Sequence, residues 1–296
     1  MTLTAVNFCY HTQTRSPRTG QTAFTQGFWR TGTVIDINRF GLKAILSHMS
    51  TASLKRHQLH RLVNSLSETA SQCEKCALHN ICLPSGLDQR ELVHLAEIIQ
   101  SSKTVNKGHV LFRAGDPFDA LYVVHAGVFK SSVEDDSGKE KIIQFNLPGE
   151  VVGLDGIYDS RYQTTVTALS SGSYCKIPFN ELLQAAGEYP ELQRQLFRLM
   201  SKNLNSCERA HNELSAPAKL ATFVLSLAQR FKDRGFSPLE FDLPISQRDM
   251  ANFLGMAEET LSRLFKRFQS QGVLEYKRHH LKILDMPTLQ AIARRG

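Results

Sequence analysis

Between Val110 and Pro178 the chain breaks into short β-favouring runs separated by glycine turns. The runs are Val110–Phe112, Leu121–His125, Val128–Val133, Ile142–Phe145, Thr164–Leu169 and Ser173–Ile177, and glycines 115, 127, 138, 149, 153 and 172 punctuate them. Many short strands at this spacing predict a β-roll or jelly-roll barrel. The rest of the chain must pack around that barrel or fold separately.

The flanking segments carry the helical period instead. Asp88 caps a predicted helix over about 88–100, with Leu92, Leu95, Ile98 and Ile99 on one side. A longer helix is predicted from Pro190 to Leu214. Along it Phe197, Met200, Leu204, Cys207, His211 and Leu214 alternate at spacings of three and four, the pattern of a coiled-coil seam between two copies of the chain. Ser215, Ala216 and Pro217 are expected to end this helix and act as a hinge. Helices at 218–234, 246–254 and 258–269 follow, and Val273–Leu284 reads as a small hairpin, or wing. The expected architecture is α+β. It comprises an extension (1–72), a cysteine loop with a β-roll (73–189), a dimerisation helix (190–214) and a winged helix–turn–helix domain (215–296), with the helix–turn–helix at about 247–266.

Residues 1–48 show no sustained period and no acidic residue before Asp36, so disorder or loose packing is expected there. Leu54, Leu59, Leu62, Val63 and Leu66 allow one helix over 51–70. The composition fits a transit peptide loosely. It fits equally a start at Met49, and a chain beginning there is expected to keep its binding properties. No apolar run approaches a membrane span, and a cytoplasmic location without membrane attachment is the expectation.

Charge is uneven. Residues 1–72 carry a net +6, residues 73–215 a net −4 and residues 216–296 a net +5. A basic C-terminal module beside an acidic middle suits nucleic acid at the C-terminal end, although a solvated basic surface explains the charge alone equally well. The helix–turn–helix reading is more specific. Leu254-Gly255-Met256 supplies a helix end and a tight turn, since glycine tolerates positive φ. The next helix presents Glu259, Thr260, Ser262, Arg263, Lys266 and Arg267 outward and Leu261, Leu264 and Phe268 inward. An arginine there can pair with guanine, a glutamate can accept from cytosine, and Lys266 is placed for phosphate.

The cysteines are Cys9, Cys73, Cys76, Cys82, Cys175 and Cys207. Cys73, Cys76 and Cys82 form C-x2-C-x5-C on one loop, and Cys175 on the last barrel strand is the best fourth ligand. Such thiolates suit an iron–sulfur cluster or zinc, and spacing alone does not choose. A thiol-redox role is a third reading. The chain shows no nucleophile–base pair near the motif, so an enzyme is not expected. Cys9 and Cys207 are left out of the cluster. His11, His79 and His125 read as loop or core residues, and His279-His280 as an exposed turn in the wing.

With these motifs in order, the sequence resembles the Crp/Fnr superfamily and within it the oxygen-responsive Fnr branch, over about residues 73–296. The marks are Gln72-Cys73-Glu74-Lys75-Cys76 with Cys82, Cys175-Lys176-Ile177-Pro178-Phe179, Arg198-Leu199-Met200-Ser201, and Glu259-Thr260-Leu261-Ser262-Arg263. The resemblance implies a cyclic-nucleotide-binding-like sensor fold and a [4Fe–4S] cluster on Cys73, Cys76, Cys82 and Cys175. It also implies a homodimer on inverted-repeat double-stranded DNA, contact with RNA polymerase, and base reading by Glu259, Ser262 and Arg263. Two departures stand out. Cys207 occupies a seam position where relatives often carry an acid, and the stretch after Leu214 is about three residues short. Nucleotide-binding relatives hold the cyclic phosphate with Gly-Glu and Arg-Ser pairs. The corresponding stretches here are Gly153-Leu154-Asp155-Gly156 and Gln163-Thr164-Thr165, so a cyclic-nucleotide-responsive regulator is the alternative and no cyclic nucleotide is expected to bind.

Overall fold

The computed structural model describes residues 73, 76–78, 80–209 and 214–295, all within one compact unit, Ser65–Gly296. The expectations for residues 1–72, and those for Cys9, His11, His79 and His211, lie outside the described residues. So do the side chains of Leu204 and Cys207.

The first helix, α1 (Gln89–Ile98), starts at a capping box. The Asp88 carboxylate accepts from the Arg90 and Glu91 amides, and Glu91 accepts in return from the Asp88 amide. Both satisfy donors that an open helix start leaves unpaired. Eight strands follow: β1 (Gln100–Val105), β2 (Val110–Phe112), β3 (Ala120–Ala126), β4 (Phe129–Glu134), β5 (Glu140–Asn146), β6 (Val151–Val152), β7 (Thr165–Ala168) and β8 (Gly172–Pro178). They form two antiparallel four-stranded sheets, in the orders β1-β8-β3-β6 and β2-β7-β4-β5. Helices α2 (Phe179–Glu188) and α3 (Pro190–Arg209) come next.

The strand period of two sorts the side chains of β3. Ala120, Tyr122 and Val124 face Phe112, Phe129, Val166 and Ala168 in the core between the sheets. Leu121 and Val123 point the other way, into a second core with Leu92, Leu95, Ile177, Leu182 and Leu192. That second core fastens α1, α2 and α3 to one face of the barrel.

The C-terminal part begins with α4 (Ala216–Asp233). Here the expected hinge is corrected: Ser215 is the cap residue, and Ala216 and Pro217 form the first helical turn. Proline is favoured there because the first turn has no use for its missing N–H. Strand β9 (Glu240–Asp242), helices α5 (Gln247–Leu254) and α6 (Glu258–Ser270), strands β10 (Leu274–Lys277) and β11 (His280–Ile283), and helix α7 (Met286–Arg294) complete the chain. The three strands form a sheet in the order β10-β11-β9, so the wing has one strand more than the expected hairpin. Among the described residues no helix is long and apolar enough to cross a membrane.

Candidate metal centre and nucleic-acid interface

The loop before α1 is wound into successive turns. The Cys76 amide donates to the Cys73 carbonyl at 3.3 Å, Cys82 to Leu78 at 2.9 Å, and Ser85 to Cys82 at 3.0 Å. Leu83, 2% exposed, and Leu87 anchor it in the second core. Gln195 of α3 donates to the Ser85 carbonyl. Cys175 stands opposite Val123 in the β3–β8 ladder and packs, with Cys82, against the same core as Ile177 two residues on. The strand period therefore turns Cys175 toward the face that carries the cysteine loop.

All four thiols are free and half-buried. Burial, and then the nearness of Cys175, Cys73 and Cys76, pushes the Cys82 thiol up to about 12, against a lowering bond from the Leu83 amide. Cys175 is raised to about 11 by burial and then by Cys73 and Cys76, and Cys73 is raised by burial and by Cys76. Cys82 thus lies within electrostatic reach of the other three sulfurs, and burial disfavours the thiolate at Cys73, Cys82 and Cys175. A bound cationic centre reverses that preference, because metal ligation requires the thiolate. Among the described residues no three or more His, Cys, Asp or Glu side chains close around a single metal ion.

The second candidate site is α6. Ser246 caps α5, its hydroxyl accepting from the Asp249 amide at 3.0 Å, and Gly255 ends that helix at φ +63°. α6 then buries Leu261, Leu264, Phe265 and Phe268. Phe265, which the sequence reading left off this face, stacks on Tyr276 of β10 with ring centroids 4.3 Å apart. Glu259, Thr260, Arg263, Lys266 and Arg267 are exposed, while Ser262 is half-buried. Arg263 donates to Glu259 at 2.6 Å, and both side chains are about three-quarters exposed.

In the wing, His280 is held between two carboxylates, Nδ1 against Asp242 and Nε2 against Glu240, each at 3.0 Å. Lys282 reaches Glu240 from the neighbouring position at 3.5 Å. The hydrogen bond to Asp242, and then that to Glu240, raises the His280 pKa above its ordinary 6.5. A raised folded pKa means that the interaction contributes fully below the ordinary value and is lost as pH rises through the folded one. An NMR titration of the His280 ring is expected to give a midpoint above 6.5, and the shift should shrink in Asp242→Asn, with Glu240 left as its cause. A midpoint at or below the ordinary value would remove this clamp from the wing.

The stretch Gly153–Gly156 is tied to the start of the Gln163-Thr164-Thr165 run. Gly153 adopts φ +95°, and Asp155 in the short 3-10 turn after it accepts from the Gln163 amide at 3.1 Å. Burial raises the Asp155 pKa, while bonds from Thr164 and Gln163 oppose that rise.

Two antiparallel four-stranded sheets followed by a winged helix–turn–helix define the scaffold of a two-part DNA-binding regulator. A model of the cyclic nucleotide-binding domain matches residues 102–189, and one of the Crp-like helix-turn-helix domain matches residues 218–292. The chain is 38% identical over 230 residues to the transcriptional activator protein FnrA of Stutzerimonas stutzeri, covering 77% of this chain and 94% of that one. It is 38% identical to the electron transport regulator A of Shewanella oneidensis, over 78% of this chain and 93% of that one. It is 37% identical to the anaerobic regulatory protein of Haemophilus influenzae, over 73% and 86% respectively. The structure of FixK2 from Bradyrhizobium japonicum superposes with a TM-score of 0.59 at 23% identity, over 65% of this chain and 96% of that one, a likeness of fold. The chain belongs to the Crp/Fnr family of transcription regulators.

Proposed function

We propose that this regulator senses oxygen through a [4Fe–4S] cluster held by Cys73, Cys76, Cys82 and Cys175. The reading rests on one observation: four free, half-buried thiols on a loop and a strand, with Cys82 near Cys73, Cys76 and Cys175. Bound there, the cluster would supply an oxygen-labile tie between the loop and β8. The names of the relatives, an anaerobic regulator and an activator FnrA, point the same way.

On this reading the chain acts in the cytoplasm as a homodimer, paired along α3, that is not an enzyme. Phe197 and Met200 are 63% and 41% exposed on that helix, apolar positions one turn apart that a partner helix would cover. Leu204, Cys207, His211 and Leu214 extend the proposed seam. Glu259, Ser262 and Arg263 read bases of an inverted repeat, Lys266 contacts phosphate, and the bound dimer engages RNA polymerase. The domain limits are those of the sequence reading, and α4, from Ala216, falls inside the C-terminal one. The Asp155 carboxylate in the phosphate cradle supports the absence of a cyclic-nucleotide response.

The test is metal and sulfide analysis of anaerobically purified protein. Iron with matching acid-labile sulfide is expected. Zinc alone would replace the oxygen-sensing reading with a structural metal site, and neither metal nor sulfide would leave thiol chemistry.

A further inference from the structure

The dock of the helix–turn–helix domain on the barrel of its own chain includes a part-buried carboxylate. Glu150 lies just after β5, and its side chain is 14% exposed. Arg230 of α4 donates to both of its oxygens, at 2.9 and 2.6 Å, and Arg234, 6% exposed, donates at 2.8 Å. The same arginines donate to the Phe145 and Pro148 carbonyls. Burial alone would raise the Glu150 carboxyl, but Arg230 and then Arg234 outweigh it and hold its pKa below the ordinary value. The carboxylate is therefore charged at neutral pH.

The dock extends along β5. Asn252 of α5 accepts from the Ile142 amide and donates to the Glu140 carbonyl, both at 2.7 Å, as a neighbouring strand would. Lys130 of β4 bonds Asp249 at 3.3 Å. Phe145, Phe223 and Phe253, from β5, α4 and α5, form a triangle with centroids 5.2–6.0 Å apart.

Gly149, the residue before Glu150, abuts the cysteine loop. Gly149 has φ +85°, and a Cβ built on it would stand 2.9 Å from Ile81 Cδ1. Ile81 immediately precedes Cys82. The Gly149 amide donates to the Val124 carbonyl at 2.7 Å, and the Val124 amide donates to the Glu150 carbonyl at 3.0 Å, so this turn is pinned to β3. A shift of the loop at Ile81 therefore bears directly on the backbone that aims Glu150.

We infer that Glu150 is a positioning residue: it sets the orientation of the helix–turn–helix domain on the barrel and carries the state of the cysteine loop to that domain within one subunit. The inference rests on the oxygen-sensing reading for its second half. It adds a route that does not pass through the α3 seam.

Glu150→Gln keeps the size and one acceptor but removes the charge that pairs two guanidiniums. The experiment compares native and variant full-length chains in two ways. Amide exchange at Ile142, whose N–H crosses the dock, is expected to accelerate roughly tenfold or more while the β3 amides keep their rates. Affinity for an inverted-repeat DNA selected by the native chain from random sequence is measured anaerobically and after air exposure. The ratio of the two should shrink by roughly fivefold or more in the variant. Ile142 exchange at the native rate, or a rise shared equally by β3, overturns the positioning role. An unchanged affinity ratio overturns the coupling role. A native chain with no oxygen-dependent ratio sinks the oxygen-sensing reading and with it the coupling role, and the exchange result still decides the dock. Should Glu150→Gln not fold, Arg230→Lys tests the same joint from its more exposed side and carries the same expectations.

Discussion

Replacing any one of Cys73, Cys76, Cys82 or Cys175 with serine is expected to abolish the brown anaerobic chromophore and the DNA binding that depends on it. Serine offers a harder, less acidic oxygen where iron takes a soft thiolate. The three loop residues share a short wound segment, so loss of any one is unsurprising. Cys175→Ser is the sharper case because Cys175 lies on β8, placed toward the loop by the face it shares with Ile177. Iron and sulfide per chain, with the visible spectrum, check the result. A full complement of cluster in Cys175→Ser would remove the strand from the ligand set. Cys9→Ser is expected to leave the content unchanged.

Arg263→Ala is expected to weaken operator binding by about 1–3 kcal/mol and to relax preference at a single base pair of each half-site. The arginine is three-quarters exposed and leans on Glu259 one turn earlier, so both stand on one side of α6. An exposed pair of this kind adds little to folding, and its members are available to bases. Two copies of α6 in a twofold dimer would enter successive major grooves about 34 Å apart. Lys266→Ala, by contrast, should weaken all sequences alike and reduce the salt slope by about one. Titrations against single-base operator variants at two salt concentrations separate the roles. Uniform weakening by Arg263→Ala, with a changed base preference in Lys266→Ala, would reverse the assignment.

The barrel and the winged helix were legible because their signals are local. Six runs anticipated β2, β3, β4, β5, β7 and β8 to within about two residues at each end, and Ser246 and Gly255 marked the limits of α5. Strand β1 was not legible, since Gln100–Val105 is mostly polar and shows no apolar alternation. Helix α2, which follows Pro178 directly, was not assigned from the sequence. Phe265 went unread because Leu261, Leu264 and Phe268 alone complete a helical stripe. In the cysteine site, the loop spacing was visible at once, whereas the role of Ile81 against Gly149 appears only in three dimensions. The dock had no signal at all. Glu150 lies in a glycine turn, and Arg230 and Arg234 look like the solvated side of an amphipathic helix. Their partner stands 80 and 84 residues away.

The aromatic triangle bears on how parts of such regulators can be exchanged. Val128, Ile142, Phe145, Leu147 and Leu169 of the barrel belong to the same core as Leu220, Phe223, Met250 and Phe268 of the C-terminal part. The C-terminal segment is therefore not a portable cassette. Recombination between relatives has to move the outer face of β5 together with α4 and α5, or leave apolar surface open to water. A chimera that grafts residues 216–295 onto a foreign barrel inherits an incomplete triangle, with Phe223 and Phe253 set against whatever side chain stands where Phe145 does here.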